Sequence, residues 1–331
     1  MKVLFGLRVP PELKAYYRDK LSEETDLVFP TEINDEILTS LAPDVDVLVA
    51  YKLSSKFMEK AEKLRHIQVP WTGSETLDFE ILRKYPHITV SNSHSNSLAI
   101  AEHAVSLLLS AAKRISYRDS GMRKGDWSSR YNDVNSYWIT GKTLGIIGYG
   151  AIGRKVGKTL KKGFDMKVFA IKRDPRRTDP EDQYDFLGGS EDLSHVLKES
   201  DFLLIALPLT QETEGMIGKK EFQLMKDTVV ICNISRGSIL DERALFEHLK
   251  ENKNVIAALD VWYNYPKDRK NPTNVFQNHP FEDLNNIVMS PHSAFKVVER
   301  EGVFAEDIIT NISLVMRNKD PINQINLDLG Y

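Results

Sequence analysis

Short apolar, β-branched runs alternate with longer helical patterns along most of the chain. In the first part the runs are VLFGL (3–7), DLVF (26–29), DVLVA (46–50), HIQVP (66–70) and HITVS (87–91), with helical patterns such as SKFMEKAEKL between them. This alternation predicts βαβ units around a parallel sheet. The segment SLAIAEHAVSLLLSAAKRI (97–115) is apolar on most faces of a helix, so it is expected to be buried or at an interface. A polar stretch (116–138) separates it from a second series: TLGIIG (143–148), KVFAIK (167–172), FLLIAL (202–207), VVICNI (229–234), VIAALD (255–260) and IVMSPH (287–292). These runs are almost continuously apolar, as strands covered on both faces are. A last helical pattern, VVEREGVFAEDIITNISLVMRNK, has no strand after it and is expected to cross back onto the first domain.

Length adds to this picture. A chain of 331 residues exceeds what one core usually holds, so two α/β domains are expected. With 44 Lys plus Arg against 47 Asp plus Glu, no global positive charge invites nucleic acid or an anionic membrane. The lone cysteine, Cys232, cannot form an intrachain disulfide, which suits a reducing compartment. The apolar run in MKVLFGLRVPPELK is too short for a signal peptide or a membrane span. A cytoplasmic protein is expected.

The first chemistry appears in TLGIIGYGAIGRKVGKTL. Gly148, Gly150 and Gly153 form G-x-G-x-x-G between an apolar strand and a helix, the context a dinucleotide site needs. The first glycine makes the tight turn, the second lets the backbone approach a pyrophosphate, and the third lets the helix close on the strand. Ala151 and Ile152 open that helix, whose N-terminal N–H groups favour phosphate. A carboxylate about 20 residues past the loop normally takes the adenosine ribose 2′-OH. Here that position is Lys172, within FAIKRDPRR, where Lys172, Arg173, Arg176 and Arg177 crowd around Asp174. Cations at this place pair with a 2′-phosphate, so NADP is favoured over NAD. The plainer alternative is a solvated basic loop with Asp174 on the 2′-OH.

Several stretches in the right order, GKTLGIIGYGAIGRKV, LPLTQETEGMIG, VVICNISRGSILDERAL, AALDVW and SPHSA, together resemble the D-isomer-specific 2-hydroxyacid dehydrogenases. The resemblance covers nearly the whole chain. It implies two Rossmann-like domains with parallel sheets: a flavodoxin-like substrate domain (1–95 plus 296–331) and a dinucleotide-binding domain (96–295) inserted into it. It also implies an interdomain cleft, a small 2-oxo or 2-hydroxy acid as substrate, and a homodimer.

The residues support the same chemistry. Reducing a 2-oxo acid needs a cation for the carboxylate, a proton donor for the carbonyl oxygen and a hydride donor. Arg236 follows an apolar strand, at the sheet edge where ligands bind, and its guanidinium can fork onto a carboxylate. His292 ends another strand, and its imidazole can give and take back a proton. The resemblance makes these two the catalytic pair. It implies that Asp260 orients the nicotinamide, although an Asp at a strand end also commonly caps the next turn. It puts Leu207, Pro208, Ile234 and Ser235 against the cofactor. In VPWTGSETLD it implies that Thr72 and Gly73 hold the substrate carboxylate, and it brings Tyr51 to Leu53 towards the substrate. Asn96 reads either as a substrate contact or as a helix N-cap.

The sequence departs from the family at one point. A Glu usually stands five residues past the strand-end Asp and hydrogen-bonds the catalytic His, whereas here the position is Tyr265. Either the phenol orients His292 without charging it, or Glu282 or Asp283 takes the space, or an insertion in KDRKNPTNVFQNHP shifts the alignment. The expected activity is an NADP(H)-preferring 2-oxoacid reductase of the glyoxylate or hydroxypyruvate kind. Two alternatives are a formate-dehydrogenase-like oxidoreductase, suggested by SNSLAIAEH and DVW, and a dinucleotide-sensing binding protein without catalysis. Ser54 and Ser55 suggest a small or polar substituent on the substrate.

Overall fold

The computed structural model describes residues 1–21, 23–268, 272–273, 277–298 and 300–331. They divide into two compact units, Met1–Asn96 with Val297–Tyr331, and Ser97–Lys296.

In the first unit each apolar run yields a short strand: β1 (Lys2–Phe5), β2 (Asp26–Val28), β3 (Val47–Val49), β4 (His66–Gln68) and β5 (Thr89–Ser91). They pair in parallel in the order β2-β1-β3-β4-β5, the flavodoxin-like order. Side chains alternate between two cores, as strand geometry requires. Leu4 and Leu48 pack with Phe57, Leu64 and Leu82 on one face. Val3, Phe5, Val47 and Val49 pack on the other with Tyr17, Ile308 and Ile312. The last two belong to the helix Arg300–Met316, which therefore closes this unit's second face. The Ser54 hydroxyl accepts from Phe57 N at 3.1 Å and caps the helix Ser55–Lys60.

The second unit holds β6 (Thr143–Ile147), β7 (Lys167–Ile171), β8 (Phe186–Gly188), β9 (Phe202–Ile205), β10 (Val230–Asn233), β11 (Ile256–Leu259) and β12 (Ile287–Met289). All pair in parallel, in the order β12-β11-β10-β9-β6-β7-β8. β8 was not expected: it is a three-residue edge strand ending in glycine, too short to carry a period. The helix Ser97–Ala112 lays Ala101, Ala104, Leu108 and Ala111 on the core that includes Ile146, Cys232 and Ala258. It stops short of the expected 115 because Arg114 takes a left-handed φ of 56°. A further helix, Ile115–Met122, lies in the polar stretch and buries no residue, so no apolar period announced it. Among the described residues, no helix is long and apolar enough to cross a membrane.

Candidate functional site

β6 and β9 are neighbours in the sheet, and the chain crosses to opposite sides of β6 on either side of them. Such a switch point is where an open α/β sheet binds ligands. The glycine loop sits there. Gly148 has φ 103°, and a Cβ on it would meet Ala206 O at 2.4 Å. A Cβ on Gly153 would meet Gly148 O at 2.5 Å, so both glycines are required by the fold itself. Gly150 differs: nothing lies within 4 Å of its added Cβ. It heads the helix Ala151–Phe164, and no side chain caps that end. An open backbone and uncapped N–H groups fit a pyrophosphate. Ala151 and Ile152 are half-buried in the first turn. Tyr149 is buried under the loop, and its hydroxyl accepts from Gln183 N at 3.1 Å.

The basic run after β7 is more heavily paired than the sequence suggested. Arg173 bonds Glu212 at 2.7 Å, and Arg176 and Arg177 both face Asp174. The Lys172 ammonium donates to the Arg177 carbonyl. On the helix, Arg154 pairs with the buried carboxylate of Asp182 at 3.1 Å. Burial, and then the neighbouring Arg154 charge, pull the Lys172 ammonium below its ordinary pKa. An anion beside these two cations would offset the second effect.

At the carboxyl edge of β10, Asn233 shapes the turn that carries Arg236. Its Oδ1 accepts from Ser235 N at 3.0 Å, and its Nδ2 donates to Arg236 O at 2.9 Å. Ser235 is buried, with its hydroxyl on Ile205 O at 2.9 Å. The half-buried Arg236 directs Nη1 to Ser235 O at 2.7 Å. Ile234 is buried, Leu207 half-buried and Pro208 exposed at this edge. Gly237 comes so close to the next strand end that a Cβ would lie 2.5 Å from the Trp262 carbonyl.

Asp260, at the end of β11, is 1 % exposed and organises the turn after β12. Oδ1 accepts from Ser290 Oγ at 2.5 Å and Ser293 N at 2.9 Å, and Oδ2 from Ala294 N at 3.1 Å. His103 Nε2 stands 3.4 Å from Oδ1. Burial pushes this carboxyl up. The bonds from His103, Ser290 and the two backbone N–H groups outweigh burial and hold it below the usual carboxylate range. The turn it clamps presents His292 at φ 53°, a left-handed conformation that costs a non-glycine residue about 1–2 kcal/mol. These bonds go to the turn after β12 and not to the turn that follows Asp260 in the chain.

Tyr265 meets His292, with ring centroids 5.4 Å apart and planes inclined at 49°. Its hydroxyl oxygen accepts from Trp262 N at 3.2 Å. Glu282 instead bonds Gln277 at 2.5 Å, and Asp283 shares its 3-10 turn, Phe281–Asp283. Much of the insertion weighed above, residues 269–271 and 274–276, lies outside the described residues.

In the first unit Thr72 and Asn96 come together: the Thr72 hydroxyl lies 3.0 Å from Asn96 Oδ1 and 3.0 Å from Ser93 O. The half-buried Gly73 follows. Leu53 packs against the core of that unit, and the Tyr51 ring lies 4.7 Å from Trp71. The Ser54 hydroxyl accepts from Phe57 N and has a helix-capping role. Among the described residues, no group of His, Cys, Asp and Glu could hold a metal ion.

Residues 105–294 match the family model described as D-isomer specific 2-hydroxyacid dehydrogenase, NAD binding domain. A glyoxylate reductase of Thermococcus litoralis is 33% identical over 305 residues, covering 88% of this chain and 87% of that protein. A D-3-phosphoglycerate dehydrogenase of Methanocaldococcus jannaschii is 31% identical over 313 residues, 93% of this chain; the chain spans only 56% of that longer protein. The chain belongs to the D-isomer-specific 2-hydroxyacid dehydrogenases. This is a family of NAD(P)-dependent oxidoreductases. Among solved structures, an acyclic imino acid reductase in complex with NADPH and D-Arg superposes with a TM-score of 0.77 at 26% identity, covering 98% of this chain and 100% of that one.

Sequence reasoning about this dehydrogenase-family chain missed His103, Ser290, Asn233 and Trp262. His103 sits in AEHAVS on an apolar helix, where only a polar residue on the buried side hinted at a partner. Ser290 directly precedes the Pro291-His292 pair and passed as part of the strand.

Proposed function

We propose that the protein is an NADP(H)-preferring D-2-hydroxyacid dehydrogenase working as a reductase of small 2-oxo acids. The observation that carries the reading is the seven-stranded sheet's carboxyl edge. There Arg236 follows β10, and His292 stands in a clamped left-handed turn after β12. Arg236 binds the substrate carboxylate with its guanidinium fork and polarises the adjacent carbonyl. His292 gives its proton to the developing alkoxide and takes it back in the oxidative direction. The nicotinamide, when bound, supplies the hydride. Gly150, Ala151 and Ile152 would hold its pyrophosphate, and Leu207, Pro208, Ile234 and Ser235 lie along the edge that would take the rest. Lys172 and Arg154 support NADP, because a 2′-phosphate would offset their mutual repulsion. Similarity to glyoxylate reductases supports a small substrate, with Thr72, Gly73, Asn96 and Leu53 as its contacts in the first unit. A homodimer in the cytoplasm fits the lone buried Cys232 and the apolar helix Ser97–Ala112.

The test is a panel. Purified protein is mixed with NADPH or NADH and glyoxylate, hydroxypyruvate, pyruvate or bulkier 2-oxo acids, and the reduced nicotinamide is followed by absorbance. Oxidation with an oxo acid supports the reading. Formate-driven reduction of NAD(P), or cofactor binding without any turnover, contradicts it.

A further inference from the structure

His103 ends the SNSLAIAEH stretch quoted above, and no role has been assigned to it so far. It stands in the second turn of the helix Ser97–Ala112, and its Nε2 is 3.1 Å from Ser290 Oγ and 3.4 Å from Asp260 Oδ1. Ser290 has one hydroxyl hydrogen, and the 2.5 Å bond to the Asp260 carboxylate takes it. The Ser290 oxygen therefore faces His103 with a lone pair, which requires Nε2 to carry a proton and donate. Asp260 in turn receives the N–H groups of Ser293 and Ala294. A continuous hydrogen-bonded path thus runs from the helix to the two residues that follow His292. His292 itself holds a φ of 53°, which persists only where the surroundings impose it.

Resting on the reductase reading above, we propose that His103 is a positioning residue for His292. Its Nε2–H fixes the Ser290 hydroxyl on Asp260, and Asp260 then fixes the turn that aims the His292 ring. The residue touches neither substrate nor cofactor in this role. Without the His103 donor, the Ser290 hydroxyl can rotate off Asp260. The carboxylate is then held by the turn alone, and the turn loses its anchor to the helix. The imidazole of His292 would sample directions in which it cannot reach the alkoxide. Misplacement on this scale lowers turnover without weakening the binding of either ligand.

Three variants test this. His103→Leu keeps the volume and removes the donor, His103→Gln keeps an N–H in reach of Ser290, and Ser290→Ala removes the relay from the other side. The expected result is a kcat about tenfold lower in His103→Leu and Ser290→Ala, with the oxo-acid KM and the NADPH Kd within about twofold of wild type. His103→Gln should restore kcat to within about threefold of wild type, and the Leu/Ala double variant should be no worse than the worse single one. Unchanged kcat in His103→Leu, equal loss in Leu and Gln, or additive losses would each overturn the proposal. A second readout needs no substrate or cofactor. The His292 ring carbon resonances, followed by NMR, should move in His103→Leu and Ser290→Ala and stay near wild type in His103→Gln. Resonances that stay put in the Leu and Ala variants overturn the proposal whether or not the wild-type protein reduces any oxo acid. A wild-type protein with no turnover but with this pattern of shifts overturns the reductase reading and leaves the positioning path supported.

Discussion

The indole N–H of Trp262 donates to the Ser290 carbonyl at 2.8 Å. Trp262 also presses its backbone on Gly237, directly after Arg236. One residue thereby ties the turn of the proposed carboxylate binder to the turn of the proposed proton donor. Replacing it by Phe keeps the ring packing and leaves a carbonyl short of its donor. The expected cost is about 1–2 kcal/mol of stability together with a lower kcat. Urea unfolding and steady-state kinetics check the two effects.

Gly237→Ala tests the other side of that tie. A Cβ there meets the Trp262 carbon and oxygen at 2.5 Å, closer than real contacts allow. The Arg236 turn must move outwards, at a cost of about 1–3 kcal/mol. The oxo-acid KM should rise about tenfold or more, while the NADPH Kd, measured by fluorescence titration, stays nearly constant.

Tyr265→Glu puts a carboxylate beside the imidazole whose centroid now lies 5.4 Å from that of the Tyr265 ring. A neighbouring negative charge raises a His pKa by about 1–3 units. The basic limb of the reductive kcat/KM profile should move upwards by that order. A limb that does not move would show that the new carboxylate does not reach His292.

His66 gives a stability signature in the first unit. It is fully buried on β4, bonded to Thr89 and Gln68, and burial lowers its pKa to about 4. The folded state keeps this ring neutral, while the unfolded chain takes up a proton below about 6.5. Its contribution is therefore complete above pH 6.5 and falls away as pH drops towards 4. At pH 5 the loss from this group is about 2 kcal/mol. Urea unfolding at pH 7 and pH 5 should show a smaller drop in His66→Gln than in wild type.

After β7, Lys172→Ala removes the cation proposed to meet a 2′-phosphate. The NADPH Kd should rise about tenfold and the NADH Kd should change by less than about twofold. Equal changes for both cofactors would assign Lys172 a structural role through its bond to the Arg177 carbonyl.

What could be read in the sequence is what is written locally. The apolar runs revealed where strands end, and strand ends placed Arg236, Asp260 and His292 at the carboxyl edge of one sheet. The three glycines of the loop could be read because turn, approach and packing each need one at a fixed spacing. Pairing across long separations could not be read. The four cations after β7 looked like one patch, but Glu212 takes Arg173 from 39 residues away. His103 and Ser290 stand 187 residues apart and meet only because the helix Ser97–Ala112 lies across the sheet. The left-handed backbone at His292 has no mark in SPHSA, and the Asp260 carboxylate that holds its turn lies 33 residues before Ser293.

The most direct measurement of the central claim is the oxidation of NADPH by a 2-oxo acid in wild type, Arg236→Gln and His292→Gln, each verified as folded. Wild type is expected to turn over. Each variant is expected to have a kcat/KM about a hundredfold or more lower, with NADPH binding retained. Wild-type protein that binds NADPH and reduces no oxo acid, or variants that match wild type, would contradict it.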